Sequence, residues 1–287
     1  MKFLVFTVSF IVSIFVSSSN SFAFDGCAPV IENNKKLLHC KMMVGDYPRP
    51  VHFYIPESIE TSISLKVLLH FHGHNLNGYD HFYNTAKPGD GYGDYGAFLQ
   101  NSKINGIVII PESLGNCKTY DMFFAKEESA SNFFNGLEFI IKKHISNFDQ
   151  QWIISGHSGA YRVVNQLAGY LNLPKTKVKK EIIGIGLFDA TYGDVSNIEL
   201  WVKKKIKRNE DFIFYNSYIL GANSTAANGS VVLGRKLSFY HLENIILKPI
   251  NGSTDKSALD LHFSVLKNGG LTEFWSQFKF EYILKNR

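Results

Sequence analysis

The chain has 287 residues, of which 45% are hydrophobic, 14% aromatic and 19% charged, with 23 glycines and 8 prolines. This composition excludes a disordered, collagen-like or coiled-coil protein and fits a globular one. Thirty basic residues against 25 acidic ones give a formal charge of +5. The densest basic clusters, Lys203-Lys204-Lys205 and Lys177 with Lys179 and Lys180, have the size of solvated helix faces, so no nucleic-acid partner is expected.

The chain opens with Met1-Lys2, an apolar run from Phe3 to Val16, and small residues at Ser21 and Ala23 around Phe22. Residues 1–23 are expected to be a secretory signal cleaved after Ala23. The apolar run, about 14 residues, falls short of the roughly 20 that span a bilayer. Phe24-Asp25-Gly26 before Cys27 lacks a lipobox pattern. The expected product is an exported, secreted or periplasmic chain of residues 24–287 without stable membrane insertion. Export permits a disulfide, and the odd count of Cys27, Cys40 and Cys117 requires a free thiol or an intermolecular bond. Cys27–Cys40 and Cys40–Cys117 are both open pairings, and no cysteine stands in a nucleophile context.

Beyond the signal, short apolar runs alternate with helical patterns, the mark of an α/β sheet. Leu37–Val44 and Val51–Ile55 read as strands joined by the Gly45-Asp46-Tyr47-Pro48 turn. Lys66–Phe71 is a buried strand ending at Gly73, and Gly106–Ile110 is another. Between them Gly78 to Gly96 breaks the rhythm with Tyr79, Phe82, Tyr83, Tyr92 and Tyr95: a pocket lining or a surface loop with aromatic anchors. Ser129–Asn147 places apolar residues at helical spacing. Gln151–Ser155 is a strand, Tyr161–Leu173 a helix, Glu181–Phe188 a strand and Ile198–Lys207 a helix. Asp211–Ile219 and Asn244–Ile250 complete the strands, and Thr272–Leu284 is the last helix. No repeat or long linker interrupts residues 24–287, so a single domain is expected.

Gly156-His157-Ser158-Gly159-Ala160 follows a strand and precedes a helix. A serine at a sharp strand-to-helix turn needs small residues two places before and two after, where the chain folds back on itself; Gly156 and Ala160 meet that need. Such a turn lifts the hydroxyl clear of the backbone and offers helix N-terminal amides to an oxyanion. A serine nucleophile requires a base, and the base an orienting acid. After Ser158 only His241 and His262 remain; His262, after the last strand, is the better base. Asp189 leaves the end of the strand that closes at Phe188 and is the better acid, with Asp194 as backup and Asp255 and Asp260 poorer. The second oxyanion amide is expected in His72-Gly73-His74-Asn75, from His74 or Asn75, beside that of Gly159. The alternation of His70, His72 and His74 also suits a metal, but no acidic or His motif downstream completes a site, so no metal is assigned.

On His72-Gly73, the Gly156–Ala160 elbow, Asp189 after a strand and His262 near the end, the sequence resembles the α/β-hydrolase superfamily. More narrowly, "GHSGAYR" and "LFDATYG" resemble exported bacterial α/β hydrolases of poorly defined substrate. The resemblance implies a mostly parallel central sheet of about eight strands with helices on both faces, Ser158 as nucleophile, His262 as base, Asp189 as acid, and an acyl-enzyme route with no cofactor. Its departures are Ala160 at the last elbow position and an acid one strand earlier than in many relatives. The expected function is cleavage of a carboxylic ester in a small molecule or acylated polymer. The alternatives are a peptidase or amidase acting on cell-envelope peptides, in which Arg162 could hold a substrate carboxylate, and a non-catalytic ligand-binding protein of the same fold.

Overall fold

Among the described residues of the computed structural model, nine strands form one sheet. Those residues are 27–32, 35–57, 59–60, 63–73, 104–114, 117–145, 149–208, 210–220, 225–240, 242–251, 262, 265–266 and 270–278. The expected signal 1–23, the aromatic stretch 78–96, and His74, Asn75, His241, Asp255 and Asp260 lie outside them.

The strands are β1 (Cys27–Glu32), β2 (Lys35–Met42), β3 (Val51–Pro56), β4 (Leu65–Phe71), β5 (Gly106–Pro111), β6 (Gln150–His157), β7 (Ile182–Phe188), β8 (Ile213–Leu220) and β9 (Ile245–Asn251). Their order is β1-β2-β3-β5-β4-β6-β7-β8-β9. β1, β2, β3 and β5 pair antiparallel, and every neighbour from β5 across to β9 is parallel. The helices are α1 (Lys118–Phe123), α2 (Glu127–Ile145), α3 (Tyr161–Leu171), α4 (Ser196–Lys207), α5 (Thr225–Ser238) and α6 (Leu271–Ser276).

Parallel strands covered on both faces read as continuous apolar runs, and β4, β5 and β7 are buried along their whole length. Alternate residues feed two cores. On one face Val67, Leu69 and Phe71 join Phe133, Phe134 and Leu137 of α2, Val163, Val164 and Leu167 of α3, and Trp201 of α4. On the other Leu68, Ile153 and Phe188 meet Leu271, Phe274 and Trp275 of α6. Helices thus cover both faces, as expected.

The sheet has one strand more than the expected eight or so. The extra strand, β1, is a short outer strand containing Pro29, a residue that strand patterns place at edges. It is tied to β2 by a Cys27–Cys40 disulfide, and Cys117 is the buried free thiol. Of the two open pairings this is the first. α5 also escaped the periodic reading, because Thr225-Ala226-Ala227-Asn228-Gly229-Ser230 offers no apolar stripe until Leu233 and Leu237 reach the core.

Candidate active site

β6 passes directly into α3 through a single tight turn. His157 is extended (φ −109°, ψ 141°), Ser158 is left-handed at φ 55°, and Ser158–Ala160 form one turn of 3-10 helix. The fold-back brings Gly156 against the new helix. A Cβ there would stand 2.8 Å from Cγ2 of Val164 and 3.3 Å from the carbonyl of Ala160, which is the physical reason for small residues at both places.

Asp189 follows β7 and is also left-handed, at φ 43°. Its amide donates to the carbonyl of Ser217 on β8 at 2.7 Å, fixing the departure from the sheet. Among the described residues, only Cys117, Ser158 and Asp189 have positive φ without being glycine. Such backbone is held at about 1–3 kcal/mol per residue and gathers at functional sites. The carboxylate of Asp189 is buried and accepts a 2.5 Å hydrogen bond from Nδ1 of His262. That bond leaves Nε2 of the imidazole as the proton acceptor.

Asp194, the backup acid, is exposed and spent elsewhere. Its carboxylate accepts from the amide of Ser196 at 2.9 Å and from the Ser196 hydroxyl at 3.0 Å, at the start of α4. Arg162 is likewise engaged, in an ion pair with Asp121 of α1 at 2.7 Å.

At the end of β4 the three alternating histidines divide. His70, fully buried, bonds Ser155 of β6 through Nδ1 at 2.8 Å, and burial followed by the nearby His72 pulls its pKa down to about 3. His72 accepts the amide of Ser113 at Nε2 (3.1 Å) and donates from Nδ1 to the carbonyl of Gly73 (2.9 Å). Its ring thereby fixes the backbone at Gly73, where a Cβ would lie 2.6 Å from Cβ of Ser158. The start of the expected oxyanion loop is therefore packed against the serine; His74 itself lies outside the described residues. No group of three His, Cys, Asp or Glu among the described residues could hold a metal.

Two neighbours of His262 had no role in the sequence reading. His157 stacks on the His262 ring at a centroid distance of 4.4 Å and donates from Nε2 to the His262 carbonyl at 3.3 Å. Burial first, then the neighbouring His262 and His70, hold its pKa far below the usual histidine value, so it is neutral. Tyr192 meets His262 edge-on at 6.1 Å, its hydroxyl 3.2 Å from Nδ1. It also borders a cavity of about 360 Å³ lined by Asp194, Glu199, Val232 and Lys236. The only sequence signal for either was its place within the two short motifs, one residue before Ser158 and three after Asp189.

No protein-family model and no curated protein matches the sequence. Solved structures do match. A ferric enterobactin esterase from Salmonella typhimurium is 9% identical at a TM-score of 0.55, over 83% of this chain and 57% of its own. A cold-adapted esterase from an Arctic intertidal metagenomic library is 10% identical at 0.51, over 89% and 98%. A thermostable esterase is 14% identical at 0.49, over 90% and 61%. The chain thus spans less than two thirds of the first and third of these structures. Together with the strand order, the likeness shows an α/β-hydrolase fold.

Proposed function

We propose that the protein is an exported serine hydrolase that cleaves a carboxylic ester, with Ser158 as nucleophile, His262 as base and Asp189 as acid. The observation that carries this reading is the 2.5 Å Asp189–His262 hydrogen bond formed beside a left-handed serine at a strand-to-helix turn. Those parts come from three separate stretches of the chain, and acyl transfer through a serine nucleophile needs that combination. The esterase names of the structural neighbours agree with it. The Cys27–Cys40 disulfide is in keeping with an oxidising compartment, and thus with a cleaved signal at 1–23; residues 24–287 are the proposed mature single domain.

In this reading Ser158 Oγ attacks the ester carbonyl carbon while its proton passes to Nε2 of His262. Asp189 keeps the other nitrogen protonated and stabilises the imidazolium. The new oxyanion is held by the amides of Gly159 and His74. Collapse expels the alcohol, which takes the proton from His262, and leaves the acyl group on Ser158. Water, deprotonated by His262, then attacks the acyl carbon; the bond to Ser158 breaks, the serine takes the proton back from His262, and the carboxylic acid is released and loses its own proton to solvent. The substrate is a small ester or an acylated polymer. With Arg162 bound to Asp121, no described residue favours an amidase.

The test is labelling by a fluorophosphonate probe together with hydrolysis of a panel of nitrophenyl esters. Wild type is expected to label and turn over, and Ser158→Ala to do neither. Absence of labelling in folded wild type would overturn the reading.

A further inference from the structure

Tyr192 is a side chain that none of these roles uses, although it stands beside all of them. Its hydroxyl is 3.2 Å from Nδ1 of His262 and faces the side chains of Ser158 and Asp189. Its ring packs edge-on against His262 and lies 6.4 Å from that of Tyr161 in α3. The phenol therefore touches the base and stands beside the acid and the nucleophile, on the wall between them and the neighbouring cavity.

We propose that Tyr192 is a positioning residue of the triad, its phenol holding the Asp189 carboxylate and the His262 imidazole in register with Ser158. The inference rests on the triad reading above. Burial, and next the Asp189 carboxylate, push the phenol well above its ordinary range, so it stays protonated and can donate. A carboxylate only accepts. A phenol dipole turned toward Asp189 draws part of its negative charge away from the imidazole, and the imidazole then holds its proton less tightly. Among the described residues, the groups facing His262 are Asp189 and Tyr192 from the loop after β7, and His157 and Ser158 from the end of β6. His157 is neutral and Ser158 uncharged, so among these described groups the acid and the phenol act on the imidazole charge.

Tyr192→Phe keeps the ring and its contacts and removes only the hydroxyl. In imidazole NMR titrations of the whole protein, with His262 assigned by loss of its signal in His262→Gln, the variant is expected to raise the His262 pKa by about half a unit or more. The acid limb of kcat/KM on an ester should move the same way, and kcat should fall about tenfold. An unmoved His262 titration overturns the proposal, including the case where kcat falls without it, since a ring that merely packs would behave so. The titration needs no turnover, so it still decides the question if wild type proves inert toward esters, a failure that belongs to the hydrolase reading instead.

Discussion

Ser158 and Asp189 adopt a left-handed backbone that L-residues with a Cβ avoid; the bare backbone of Gly156 leaves room for the serine's turn against Val164, and the Ser217 carbonyl holds the aspartate. Their motifs were readable from spacing because a fold-back demands small flanking residues. The contact that fixes the backbone at Gly73 was not, because the His72 ring is held from across space by the amide of Ser113. Gly73→Ala would drive a methyl into Cβ of Ser158 at 2.6 Å. Displacing the serine by even 1 Å is expected to lower kcat by about 100-fold, which steady-state kinetics with probe labelling would detect. Asp189→Asn is expected to lower kcat by about 10⁴-fold through loss of the required tautomer. Asp194→Asn should leave kcat nearly unchanged and weaken only the start of α4, and the two variants compared on one ester would separate the two carboxylates.

At the scale of elements, β7 links the site to the core behind it. Phe188, the last residue of the strand, packs against Phe274 of α6 at 5.9 Å and against Tyr215 of β8 at 5.6 Å. Asp189 comes next, so the helix on the second face bears on where the carboxylate begins. Phe274→Ala is expected to destabilise the protein by about 3–5 kcal/mol and to slow ester cleavage beyond what partial unfolding explains. Urea titration and kcat per folded molecule would show both. The strands of the parallel half were legible because burial on two faces leaves them apolar without a break. α5 was hidden by its small residues, and β1 by its proline and its place at the margin. Which helix covers which face is likewise decided only when alternate strand residues divide between two cores.

For the whole molecule, acid is the condition that should unfold it. Burial holds His39 at about 4, His70 at about 3, and His52 and His157 below the usual histidine value. In the unfolded chain these rings titrate near 6.5. A depressed folded pKa means that the unfolded state takes up the protons first, so their stabilising effect is complete above about pH 6.5 and is lost as pH falls toward 4 and below. Urea midpoints are expected to be flat from pH 8 to 7 and to drop steeply from 6.5 to 4. His70→Gln should make that drop shallower by up to about 1.4 kcal/mol per pH unit. Glu112 acts in the same direction: burial pushes its carboxyl up, but hydrogen bonds from Lys41 and His52 outweigh it and leave it below the ordinary value, so its stabilising effect too is lost as pH falls. The order of the nine strands has one more effect. An unpaired margin is a template on which another chain can build, and among the described residues both outermost strands contain a residue without an amide hydrogen, Pro29 in β1 and Pro249 in β9. Lys248, beside the second proline, adds a charge that is bound to Glu273. The margins of the described sheet are thus poorly suited to recruiting further strands and to starting fibrils.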